Sequence, residues 1–229
     1  MSDSTSPEIS LPRHSDGAAN DQRAALAEMK ALAEEGRDAP LINGVMNVLW
    51  GGVIGVAALI SFLNISGVIK LNTMGSYLIW IVAFVIGWVL SFVYGPKTSR
   101  KRGAATIGNR TASAVWFSVG IAMTGTWFLL MFLHDDFTHI GVPPYFLFQM
   151  MFPLSFLLYG VALFATATAA RTPWLNWFAV AAWAFAGAAF MLMGSGYQML
   201  LAVAGSFICS VLPGLILMRG ESQESHSSL

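Results

Sequence analysis

GPKTSRKRGAATIGNR, residues 95–110, carries Lys97, Arg100, Lys101, Arg102 and Arg110 and no acid. Long uncharged apolar segments flank it on both sides. A short basic loop between such segments is retained on the cytoplasmic face of a membrane, because the insertion machinery keeps Lys and Arg there. The stretch therefore predicts an integral membrane protein and sets its sidedness.

Working upstream, Thr73 to Tyr94 is apolar, and Gly95-Pro96 should stop it. Asn64 to Asn72 reads as a turn carrying Lys70, and Leu41 to Leu63 before it lies in a charge-free interval from Asp38 to Lys70. Crossing a hydrocarbon core of about 30 Å takes about 20 residues of helix, so both runs are long enough. Downstream, Ala112 to Leu133 is a third span, HDDFTHIGVPP (134–144) a polar loop, and Tyr145 to Ala169 a fourth span. Thr172 to Met218 is 47 residues without a formal charge, too long for one helix. Its one breaker cluster, Gly194-Ser195-Gly196, divides it into spans at Trp174 to Met193 and Tyr197 to Met218. The expected fold is an all-α membrane bundle with six transmembrane helices at 41–63, 73–94, 112–133, 145–169, 174–193 and 197–218. Alternation from a cytoplasmic basic loop puts both termini in the cytoplasm and Lys70, Asp135 and Asp136 outside. Eleven of the twelve Lys and Arg residues then lie inside.

The polar ends are read separately. Residues 1–19 are rich in Ser, Asp and Pro and are expected to be disordered. Residues 20–39 read as a short amphipathic helix beside the membrane. Ala25, Leu26, Met29, Leu32 and Ala33 form a thin apolar stripe, with acids and bases between them. Such a helix would rest on the bundle or dock a protein partner. Residues 219–229 are expected to form a disordered polar tail. No apolar core lies near Met1, so the first span is expected to serve as the insertion signal.

Lipid gives no hydrophobic force between helices, so small residues and hydrogen bonds must hold the bundle together. Ala202, Ser206, Ser210 and Gly214 form a stripe in span six, and Ala114, Ser118, Ala122 and Thr126 form one in span three. Span one has Gly51 and Gly55, and span five pairs Ala182 with Ala186 and Ala184 with Ala188. These stripes are expected to face one another. The Gly51–Gly55 pair is also a candidate contact for a homo-oligomer.

The chemistry of the chain is sparse. No Asp, Glu, Lys, Arg or His lies at the centre of a span, which argues against a proton-coupled pump or a voltage sensor. Asn43, Asn47, Ser118, Thr124, Gln149, Ser155, Asn176 and Gln198 remain as uncharged polar groups, read as interhelical or capping hydrogen bonds. His134, Asp135, Asp136 and His139 are the weak candidates for a metal site. Asp135 and His139 would share a face on a helix, but Gly141, Pro143 and Pro144 read as a loop. Cys209 is read as a packing residue. Arg100, Lys101 and Arg102 are candidates for contact with anionic lipid headgroups. No nucleotide-binding, metallohydrolase, serine-hydrolase or haem motif occurs, so neither cofactor nor catalytic residue is expected. A net charge of zero gives no reason to expect nucleic acid. The sequence thus reads as a multi-pass protein of the bacterial cytoplasmic membrane. Its leading functional reading is a non-enzymatic accessory or sensory subunit acting through a cytoplasmic or membrane protein partner. Its alternative is a small transporter or channel for a neutral or lipid-like solute.

Overall fold

The computed structural model describes residues 22–30, 41, 44–99 and 106–227, and every regular element among them is helical. The chain divides into two units, Met1–Asp38 and Ala39–Leu229. In the first, the described part is one helix, α1, over 22–30. Residues 1–19 and the rest of the expected 20–39 helix lie outside the described residues, as do Arg100, Lys101 and Arg102.

The second unit contains α2 (Gly44–Ile65), α3 (Thr73–Ser99), α4 (Ile107–Phe132), α5 (His134–His139), α6 (Pro144–Ala169) and α7 (Leu175–Met191). It ends with α8 (Tyr197–Ser206), a π turn (Phe207–Val211) and α9 (Leu212–Ser227), which run on without a break. Among the described residues, five helices are long and apolar enough to cross a membrane. The exception among the anticipated spans is α7, a shorter apolar helix of 17 residues, about 26 Å long at 1.5 Å per residue.

Four stretches differ from the sequence reading. Gly95-Pro96 does not end α3, which continues to Ser99 with Pro96 inside it. Proline is tolerated in a membrane helix when other groups take up the freed carbonyls. Pro96 frees the Phe92 carbonyl, and in the same last turn the Thr98 hydroxyl donates to the Tyr94 carbonyl at 3.0 Å. At the start of α4, Thr106 caps the helix through the Asn109 N–H, so Arg110 belongs to its first turn and not to the loop. HDDFTH is likewise not a loop but the short helix α5. It closes where the Val142 N–H reaches back to the Phe137 carbonyl at 2.9 Å, around Gly141 at φ 85°. At the far end, α9 carries helix past Arg219, where the sequence reading began the polar tail.

The small-residue stripe of the last helix meets α2. A Cβ at Gly51 would stand 2.6 Å from Ser210 Cβ, and one at Gly44 2.7 Å from the Gly214 carbonyl oxygen. One at Gly55 would have Ser206 Cβ at 3.6 Å. Gly51 and Gly55 therefore face the last helix of the same chain. The α4 stripe does not pack in the same way. Ser118 and Thr126 donate back to the Ala114 and Ala122 carbonyls of their own helix, and Ser118 and Ala122 are exposed. In α7 the buried face is Ala179, Ala182, Ala186 and Ala189, while Ala184 is exposed.

Two prolines shape the interior. Pro153 inside α6 leaves the Gln149 carbonyl without its helical donor. The Gln198 amide nitrogen fills that place at 3.1 Å and also reaches the Ala189 carbonyl near the end of α7 at 3.0 Å. The Gln149 side chain accepts from the Gly194 N–H at 2.9 Å, so one cluster ties together α6, α7 and α8. The π turn at Phe207–Val211 directly precedes the buried Pro213. A widened turn is one way a helix accommodates a residue that cannot donate.

Candidate functional site

The site is created by what fails to pack. α3 packs on α2, and α4 packs on α6. Between α3 and α4, contact runs through long side chains. Trp88 Nε1 donates to Thr124 Oγ1 at 3.2 Å, and the Phe84 and Trp127 rings lie 5.7 Å apart. Behind this screen is a cavity of about 1150 Å³ bounded by α2, α3, α4, α6 and the helix running from α8 into the π turn. That is at the upper limit of pockets that hold drug-sized ligands.

Five of the eight tryptophans line it: Trp50, Trp80, Trp88, Trp116 and Trp127. They are held in three groups of aromatic rings. Trp50 meets Phe84 and Trp88 edge-on at 6.3 and 6.1 Å, and Trp80 meets Phe148 and Phe152, each at 5.5 Å. Trp116 packs edge-on against Tyr159 at 4.5 Å. The indole N–H groups of Trp50 and Trp88 are satisfied by the protein itself. Trp50 donates to Ser91 Oγ at 2.9 Å, and Ser91 in turn donates to the Gly87 carbonyl at 2.8 Å.

Polar groups are few and are segregated by depth. On the α8 side, the Tyr159 hydroxyl bonds the Ser210 hydroxyl, and Ser210 Oγ donates to the Asn47 carbonyl at 2.6 Å. Ser155 Oγ donates to the Met151 carbonyl and lies 3.7 Å from Met123 Sδ. Apart from Ser206 on α8, the remaining polar lining residues collect where α3 ends and α4 begins: Ser91, Thr98, Arg110, Thr111 and Ser113. Among the described residues Arg110 is the one formally charged residue that lines the cavity, and it is exposed at that mouth. Lys97 is close by in sequence but lies over the Tyr94 ring, 5.1 Å from its centre. The opposite end is bounded by Trp80, Phe84, Trp127, Phe148, Met151 and Phe152.

The residues singled out by sequence fare unevenly. Asn47, Thr124 and Ser155 all take part in the cavity wall, through the bonds above. Ser118 faces away, and Gln149 and Gln198 form the α6–α7–α8 cluster. Asn176 Oδ1 is buried without a hydrogen-bond partner. Asp135 and His139 stand four residues apart on α5, and among the described residues no three of His, Cys, Asp and Glu gather where they could hold a metal. Cys209 is buried, as a packing residue would be. Sequence reasoning missed the tryptophans as a set. The available signal was their depth, since Trp favours the membrane interface, whereas Trp88 and Trp116 stand many residues inside α3 and α4.

Compared with known proteins, the chain matches no family model, no curated protein and no solved structure.

Proposed function

We propose that this chain is a six-span membrane protein that binds a lipid-like, apolar molecule in the cavity between α3 and α4. The observation that carries the reading is an aromatic-walled space of about 1150 Å³ with a single formal charge at its rim. Apolar walls with a few placed polar groups are the usual form of a small-molecule site. Sequence patterning alone ranks an accessory subunit first and a neutral or lipid-like solute second. The cavity reverses that order, and it remains compatible with a sensory role in which the bound molecule is the signal. In this topology α7 spans as the fifth of six helices. Turn bonds extend its 17 residues at both ends, from the Leu175 N–H to the Thr172 carbonyl at 3.1 Å and from the Met193 N–H to the Phe190 carbonyl at 3.3 Å. Both termini lie in the cytoplasm.

The test uses bromine, which quenches a tryptophan it touches. A dibrominated long-chain alcohol is titrated into the purified protein in nanodiscs while indole emission is followed. Saturable quenching is expected, and Gly120→Phe should weaken it. A Cβ at Gly120 has only Trp88 ring carbons near it, at 3.8 Å, so a larger side chain can extend into the space. Quenching that rises linearly with added alcohol and ignores Gly120→Phe would remove the reading.

A further inference from the structure

The cavity has a polar end and an apolar end, and the charge at the polar end is positive. The geometry points to an anionic amphiphile as the ligand: an acyl chain among Trp80, Phe84 and Trp127, and an acidic headgroup at Arg110. This rests on the proposed ligand-binding reading and names the class of molecule.

Three observations carry it. First, Arg110 is the single formal charge on the lining among the described residues, and it sits at the mouth, in the first turn of α4. Guanidinium groups bind carboxylate and phosphate oxygens in a planar fork, so the complementary group is an acid. Second, Thr111 and Ser113 line the cavity at this same mouth, and their hydroxyls can donate to a headgroup. Third, the interior does not call for a polar ligand. The Trp50 and Trp88 indole donors are already bonded to Ser91 and Thr124, and the far end offers aromatic and thioether surface. A small anion would leave the apolar depth unfilled, and a hydrocarbon would leave Arg110 without a counter-charge. A molecule that is acidic at one end and apolar along its length satisfies both. The shared chemistry is an anionic oxygen headgroup on an acyl chain. A free fatty acid and an acidic phospholipid both supply it.

The experiment compares ligands that share one dibrominated acyl chain and differ in the head: the free carboxylic acid, a phosphatidic acid, a phosphatidylcholine and the neutral alcohol. Each is titrated against the nanodisc-embedded protein by tryptophan quenching. Expected is an affinity for at least one acidic ligand about tenfold or more above that of the alcohol, consistent with a charge-assisted fork. Arg110→Gln should bring that preference to within about twofold, and Arg110→Lys should keep part of it. Whether the carboxylate or the phosphatidic acid binds tighter identifies the source of the headgroup, and either result supports the inference. Saturable binding of the alcohol with no preference for the acids, or a preference that survives Arg110→Gln, would overturn it while leaving the ligand site standing. No saturable binding of any of the four would overturn both.

Discussion

Trp50 is the hinge between bundle packing and the cavity wall, and Gly87→Ala tests how tightly it is held. A Cβ added at Gly87 would stand 2.5, 2.6 and 2.9 Å from Cζ3, Cη2 and Cε3 of Trp50. Carbon atoms rest about 3.5–4.0 Å apart, so the indole must retreat by roughly 1 Å. It has little freedom to do so. Phe84 and Trp88 meet it edge-on, and its N–H is tied to Ser91 at 2.9 Å. A retreat of that size carries the hydrogen bond beyond its useful range of about 3.2 Å. Overpacking costs about 1–3 kcal/mol, and the lost bond adds about 0.6 kcal/mol in a membrane, while alanine regains about 1 kcal/mol of helix propensity over glycine. The net expectation is a destabilisation of about 0.5–2.5 kcal/mol. The assay is reversible unfolding in mixed micelles of rising sodium dodecyl sulfate, run as a double-mutant cycle with Trp50→Leu. With the indole gone, Gly87→Ala should be neutral or stabilising by up to about 1 kcal/mol. An equal loss in both backgrounds, or no loss in the parent, would refute the claim that Trp50 is clamped.

Gly44→Ala should cost more than Gly55→Ala, because the first meets the Gly214 backbone at 2.7 Å and the second only Ser206 Cβ at 3.6 Å. The same unfolding assay should show Gly55→Ala neutral or slightly stabilising. Gln198→Leu strips the donor from the Gln149 and Ala189 carbonyls and should cost about 1–3 kcal/mol. Adding Pro153→Ala, which gives Gln149 a backbone donor again, should recover part of that loss. In a Cys209→Ser background, an impermeant maleimide applied to intact cells should label Lys70→Cys and leave Lys97→Cys unmodified until the membrane is opened. The reverse pattern would invert the proposed sidedness.

How much of this was legible beforehand depends on the physics each element obeys. Apolar runs report membrane helices because burial in lipid requires little beyond length and hydrophobicity. The helices α2, α3, α4, α6 and α8–α9 accordingly fall where the composition puts them. The Gly194-Ser195-Gly196 break is also visible, since Gly194 adopts a φ of 82° that glycine accepts readily. Boundaries proved less readable. Pro96 and the HDDFTH segment carry loop-forming residues, yet local hydrogen bonds keep both helical. Packing partners were half-legible: the α2 glycines and the α8 serines announce close approach, but not that they approach each other. The cavity was not legible at all. It arises because α3 and α4 are held by different neighbours, and that separation is a property of the assembled bundle that no single stripe encodes. The five tryptophans around it come from three helices, at spacings that no periodicity along the chain records.

The Gln149–Gln198 bond also bears on how the protein is made. The two residues are 49 positions apart, and the donor is the later of the two. At ribosomal rates of about 5–20 residues per second, α6, which ends at Ala169, is complete for roughly 1.5–6 s before Gln198 exists. Throughout that interval α6 presents a bare carbonyl where Pro153 has removed its helical donor. Hydrocarbon tolerates such a group poorly, so α6 has reason to stay beside the translocation channel, where water is at hand, until the last helix is synthesised. The final hairpin thus acts as a release signal for a helix inserted before it. Chains truncated between α7 and α8 should remain associated with the insertion machinery, whereas chains extending past Gln198 should be released.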